Sequence, residues 1–179
     1  GELVERLRAG WGATLPTGVT TFCLSDIAGS TALWQRDPGA MAAALVRHDE
    51  LIAGAVESHG GRFLKSKGEG DATFSVFESA SHAVEAAIGA TRALGAERWP
   101  MDWEIAVRFG IHTGEGVLAP TSDYVGLDVH RAARIAAAAH GGQTLLSGAT
   151  AALLDPDPVA AVKIRDRGEH RLRDLSRPE

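Results

Sequence analysis

Two carboxylates stand where a carboxylate is either costly or conspicuous. Asp26 comes at the end of the apolar, β-branched run VTTFCL (Val19 to Leu24), and a charge there needs a partner. Asp71 opens a second apolar run, just after Gly68-Glu69-Gly70. If the two runs are neighbouring strands, both carboxylates meet at one sheet edge, where they repel each other. A divalent cation removes that repulsion, and Mg²⁺ is normally held by one or two carboxylates together with phosphate oxygens. The plainer alternative makes Asp26 part of the cap of a helix starting near Ser30, and Asp71 a turn residue. Taken singly, each aspartate fits either account.

The other reactive side chains have ordinary readings when taken alone. Lys67 is a hairpin lysine like its neighbour Lys65, Asp123 a polar loop residue, and Arg131 and Arg134 surface arginines of a helix. Cys23 lies inside an apolar run and reads as a buried, inert thiol. No two histidines have a convincing zinc-ligand spacing. A net charge of −5 argues against a general nucleic-acid binder, which needs a basic stripe to replace phosphate counterions. A small anionic substrate stays open, because local charge decides a site. One cysteine forms no intrachain disulfide and fits a reducing cytosol, so a cytoplasmic location is expected. No apolar stretch is long enough to span a bilayer.

These residues have to be positioned by a fold of 179 residues, enough for one domain with a real core. Residues 1–18 read as a short helix and linker, and 19–179 as the domain. Val19 to Leu24 is a strand, and Ser30 or Thr31 can cap the helix that follows. In that helix Trp34, Met41, Leu45, Ile52 and Val56 recur near helical period, and Pro38 sets its first turn apart. Arg62 to Lys67 and Asp71 to Phe77 form a hairpin. Ser79 or Ser81 opens a second helix with Val84, Ala87, Ile88, Thr91 and Leu94 on one face. Ile105, Val107, Phe109 and Ile111 alternate as in a half-buried strand, and His112 to Gly116 reads as a turn. Leu127 to Ala139 is an alanine-rich helix, QTLLS a strand, Asp155 to Pro158 a loop, and Val159 to Leu175 one or two strands. The order predicts an α+β fold: a ferredoxin-like βαββαβ core, a mostly antiparallel sheet with helices on one face, and extra C-terminal strands.

Five motifs in this order resemble the catalytic domain of class III adenylate/guanylate cyclases, with the actinobacterial multidomain cyclases most similar. TFCLSDIAGST resembles the first metal motif. KGEGDATFSVF resembles the second, with a lysine four positions before the metal-binding aspartate. VRFGIHTGEG resembles the following strand and turn, DYVGLDVHRAARIAAAAHGGQTLLS the dimer-arm and transition-state segment, and RGEHRLRDL the closing hairpin. The likeness runs from about Val19 to Leu175.

The resemblance implies roles. Asp26 and Asp71 bind two divalent metal ions, Mg²⁺ or Mn²⁺, with the backbone carbonyl of Ile27 as a further ligand. Lys67 and Asp123 read the purine edge: lysine donates to a ring nitrogen and aspartate accepts from the adenine amino group. Guanine would leave that aspartate unpaired, so the pair favours ATP. Arg134 is the transition-state arginine. His130 stands where the family usually has an asparagine that positions the ribose, which is the clearest departure. Arg167 lies near a position that contacts the outer phosphates in some members, and His112 reads as structural. The implied reaction is attack of the ribose 3′-oxygen on the α-phosphorus of ATP, giving 3′,5′-cyclic AMP and pyrophosphate. The family draws its metal aspartates from one subunit and its base-reading and arginine residues from the other, so a homodimer with shared sites is expected, with regulatory domains outside this segment. The alternatives are a guanylate or mixed-specificity cyclase, and a degenerate domain that only binds nucleotide.

Overall fold

The computed structural model describes residues 15–65, 70–121, 123–154, 163–173, 175 and 178. The expected N-terminal helix, the Gly68-Glu69 connection, the 155–158 loop and Lys67 lie outside the described residues.

The chain builds β1 (Gly18–Ile27), α1 (Ser30–Arg36), α2 (Pro38–Ser58), β2 (Arg62–Lys65), β3 (Thr73–Phe77), α3 (Ala80–Ala96), β4 (Val107–Leu118), β5 (Tyr124–Val125), α4 (Leu127–Ala138), β6 (Thr144–Leu146) and α5 (Gly148–Ala151). The sheet order is β2-β3-β1-β4-β5, antiparallel throughout, and β6 adds to β4 in parallel. This is the expected α+β architecture, and β5 and β6 are strands added to its βαββαβ core.

Alternation along β1 sorts its side chains onto two faces. Cys23 and Ile27 point into the larger core with Phe109 and Ile111 of β4, Met41, Ile52 and Val56 of α2, and Val84, Ala87 and Leu94 of α3. Phe22 points the other way, into a second core with Val76, Tyr124 and Ala132 of α4. Helices α2 and α3 therefore share one face, but α4 covers the opposite one, against the expectation of helices on a single face, because Gly110 and Phe22 leave the other side of β4 and β1 open to an alanine-faced helix. Tyr124 ties β5 down: its ring meets Phe22 edge-on at 5.5 Å, and its hydroxyl donates to the Pro16 carbonyl at 2.6 Å.

Several boundaries differ from the sequence reading, each for a physical reason. Strand β1 runs on through Asp26 to Ile27, because its residues pair one to one with β4 down to Val107. The cap of α1 is Gly29 in the left-handed region (φ 70°), with no side-chain bond, rather than Ser30 or Thr31. Pro38 does separate α1 from α2, which Asp37 caps by accepting from the Ala40 N–H at 2.9 Å. Strand β3 begins at Thr73, so Asp71 precedes it. His112 to Gly116 is no turn but the middle of β4. Its glycines are there for clearance: a Cβ on Gly110 would come within 2.2 Å of the Ala136 nitrogen, one on Gly114 within 2.3 Å of the Asp128 carboxyl, and one on Gly116 within 2.3 Å of Thr20 Oγ1. Residues 163–173 form no strand.

Candidate active site

The two aspartates are brought together by the pairing of β1 with β3, which sets Ser25 opposite Thr73. The Ser25 and Thr73 hydroxyls hydrogen-bond at 2.6 Å, buried between the strands. Just beyond, the chain leaves β3 and Asp71 turns back onto β1, where its Oδ2 accepts the Ile27 N–H at 2.5 Å. The neighbouring Ala28 N–H donates to the Ala106 carbonyl at 2.8 Å, which closes the sheet edge. Asp26 and Asp71 thus share one end of the sheet.

The partner that Asp26 requires is Arg108, which faces it across the β1–β4 ladder. Arg108 Nε donates to Asp26 Oδ1, and Nη2 donates to Oδ2 at 2.9 Å, a two-pronged pair. The third arm, Nη1, donates to the Ala137 carbonyl at 3.2 Å and reaches that of Ala139 at 3.5 Å, where the last turn of α4 presents unsatisfied carbonyls. The bond to Asp26, and the charge of Asp71 beyond it, push the Arg108 pKa above its ordinary value. Both side chains keep nearly a third of their surface in solvent, 28% for Arg108 and 30% for Asp26. An incoming cation can therefore reach the carboxylate. Sequence reasoning missed Arg108, which sits at a polar position of an alternating strand and reads as an outward-facing residue. Only the register reveals its partner.

The donor set fits a hard divalent cation. Carboxylate and carbonyl oxygens are the ligands Mg²⁺ and Mn²⁺ prefer. Among the described residues no cluster of three or more His, Cys, Asp or Glu is present. A pair of carboxylates completed by phosphate oxygens and water is the arrangement that Mg²⁺ usually takes.

The remaining candidates lie elsewhere. Asp123 is half-buried before β5, and its carbonyl accepts the Ala119 N–H at 2.9 Å. Asp26 pairs with Arg108 near the start of β4, and Asp123 bonds to Ala119 just past its far end. At ~3.3 Å per residue the 12 residues of β4 separate its two ends by roughly 36 Å. Arg134 is half-buried in α4, and His130 on the preceding turn is exposed. Arg131, which could have shared the face of Arg134, instead donates to Asp128 at 2.9 Å. Arg167 is exposed in a segment without secondary structure, and its carbonyl accepts from His170. His112 is buried and structural: Nδ1 lies 2.8 Å from Ser147 Oγ, and Nε2 donates to Asp128 at 3.1 Å. Cys23 is buried too, and burial pushes its thiol up to about 12. Among the described residues no helix is long and apolar enough to cross a membrane.

A mostly antiparallel sheet with two aspartates at one edge and an arginine-bearing helix across its second face defines a nucleotidyl cyclase type of domain. Residues 15–177 match the adenylate and guanylate cyclase catalytic domain, and the chain belongs to that family. It is 39% identical over 164 residues to an uncharacterised protein of Mycobacterium tuberculosis, covering 92% of this chain and 55% of that one. The chain thus spans about half the length of such relatives. An adenylate cyclase of Podospora anserina is 28% identical over 218 residues, covering 92% of this chain and 10% of that protein. Among solved structures, an adenylate cyclase from Trypanosoma brucei in its monomeric state superposes with a TM-score of 0.81 at 25% identity, covering 93% of this chain and 89% of that one. The adenylyl cyclase CyaB from P. aeruginosa gives 0.76 at 25% identity, with 91% of each chain covered.

Proposed function

We propose that this domain is an adenylate cyclase, a phosphorus–oxygen lyase that closes ATP into 3′,5′-cyclic AMP and pyrophosphate in a homodimer. The observation that carries the reading is the meeting of Asp26 and Asp71 at one sheet edge, beside the Ile27 backbone. Asp26, Asp71 and the Ile27 carbonyl would hold two Mg²⁺ or Mn²⁺ ions. When bound, the ions make the ribose 3′-hydroxyl easier to deprotonate and offset the triphosphate charge.

The chain's own residues do the rest. Asp26, paired with Arg108 at an open rim, would give its carboxylate to the cation, and Asp71 is fixed by its bond to the Ile27 N–H. Lys67 and Asp123 select adenine through one donor and one acceptor. Arg134 donates to the transferring phosphoryl group as charge develops there. His130 contacts the ribose, and Arg167 contributes to the outer phosphates. The 3′-oxygen forms its bond to the α-phosphorus as the bond to the pyrophosphate oxygen breaks, and the hydroxyl proton leaves to water or substrate.

The distance along β4 supports a shared site. Asp26 and Asp123 lie beside opposite ends of β4, too far apart for a single chain to close both on one nucleotide. A two-fold partner brings the second half of each site. Exposed apolar residues sit where such a partner would dock: Val125 pairs with Val117 and is 45% exposed, and Leu127 is 59% exposed.

The test is cyclic-nucleotide production from ATP and GTP, each with Mg²⁺ and with Mn²⁺. Wild type should favour ATP, and Asp26→Ala and Arg134→Ala should each be inactive. Mixing the two variants should restore part of the activity through heterodimers with one intact site. Active single variants would refute the role assignment, and a preference for GTP would reassign the substrate.

A further inference from the structure

Helix α4 meets the sheet through an unusually smooth contact. Its buried positions are Ala132, Ile135 and Ala136; Gly110 of β4 lies against Ala136, and Gly114 against Asp128. Ile135 is the one large side chain among these positions, so the contact has few knobs to interlock, and apolar packing alone leaves rotation and sliding of the helix weakly determined. Directional bonds at the helix ends have to supply the register.

At the N-terminal end that bond set converges on Asp128. Its Oδ1 accepts from His112 Nε2 at 3.1 Å and from Arg131 Nη1 at 2.9 Å, and its Oδ2 accepts the Glu115 N–H at 2.8 Å. Gly114 is hollowed out for this carboxyl. His112 extends the chain of bonds to Ser147, which with Thr150, Thr113 and Thr21 forms a buried hydroxyl relay into β1. Burial raises the cost of the Asp128 charge, but the Glu115 N–H, His112 and Arg131 outweigh it and hold the carboxyl below its ordinary pKa. Asp128 also stands in the first turn of α4, where the helix dipole favours an anion.

We infer that Asp128 is a positioning residue for catalysis: it pins α4 in rotation against β4 and so sets where Arg134 and His130 point. The inference rests on the cyclase reading above. Helix side chains end ~5–6 Å from the axis, so a rotation of about 10° moves them by ~1 Å. A misplacement of that size can cost on the order of 10²-fold in rate.

The experiment compares wild type, Asp128→Asn, Arg134→Ala and the double variant for kcat and KM with Mn-ATP, and records amide hydrogen exchange along α4 for each. Asparagine keeps the shape that fits Gly114 but weakens the three-donor set. The expected result is a fall in kcat of about 30–100-fold for Asp128→Asn with KM changed less than about threefold. Arg134→Ala should cost clearly less in the Asp128→Asn background than in wild type, since a mispointed arginine has less to lose. Amides of 129–134 should exchange about tenfold faster, with those of β1 and β3 unchanged. Arg131→Gln, which removes one donor from Asp128, should give the same pattern at smaller size and serves if Asp128→Asn does not fold. Additive losses, or α4 exchange unchanged in a folded variant, would overturn the inference. A wild-type protein that makes no cyclic nucleotide would instead refute the cyclase reading, and hydrogen exchange alone would then decide the anchoring.

Discussion

Two aspartates on the α4 side of the sheet, Asp26 and Asp128, are each held by an arginine, and they behave differently. Asp128 has three donors, all from its own helix and the strand beneath it, so no external cation has a vacancy to fill. Among the described residues Asp26 has one partner, Arg108, at a rim nearly a third exposed, with a second carboxylate close by. The first arrangement is closed and serves the fold. The second is open to exchange, as the proposed cation site requires. The count and origin of donors separates the two better than the presence of an ion pair.

The contrast can be broken by experiment. The largest effect is expected from Asp26→Asn or Asp71→Asn: cyclic-nucleotide production should fall by about 10³-fold or more while the fold stays intact by circular dichroism, since a two-ion site loses a ligand. Arg134→Ala should lower kcat by about 10²–10³-fold, the usual range for losing one charge-stabilising donor. A methyl added at Gly110 would collide with the backbone of α4. Gly110→Ala should therefore destabilise by about 1–3 kcal/mol in urea titration, whereas Gly54→Ala, with nothing nearby, should not. Arg108→Gln should lower metal-free stability by about 1 kcal/mol, because the pair is partly exposed. It should also enlarge the Tm gain on adding Mn²⁺, since two unrelieved carboxylates bind a cation more readily. The smallest effect concerns pH. Because the folded-state pKa of Asp128 lies below its usual 3.8, its contribution is complete above that value and is lost as pH falls through the lowered one. The stability gap between wild type and Asp128→Asn should be constant near neutrality and close in acid.

Much of this contrast is legible in the chain, and its gaps have physical causes. The aspartate pair and its strands can be read from one apolar run that a charge follows and another that a charge opens. The alanine-rich helix is read to within one residue of its end. The glycine-rich stretch after Ile111 reads as a turn because glycine marks turns when only local conformation is considered. Here the glycines make room for a helix that comes later in the chain, and none of Gly110, Gly114 or Gly116 has positive φ. Arg108 and Asp128 escape for a related reason. A charged residue in an alternating strand, or in the first turn of a helix, looks solvated until the strand register and the helix placement bring its partner across.

Strand β4 works as a ruler. It carries the Asp26 edge at one end and the Asp123 edge at the other, so in the proposed cyclase the spacing between the half-sites is built into the backbone. In a two-fold pair both clefts would then open and shut together, and no movement of one subunit could tune one without the other. A signal from a neighbouring domain would need to deliver only a single small rotation, and the output would switch as a pair.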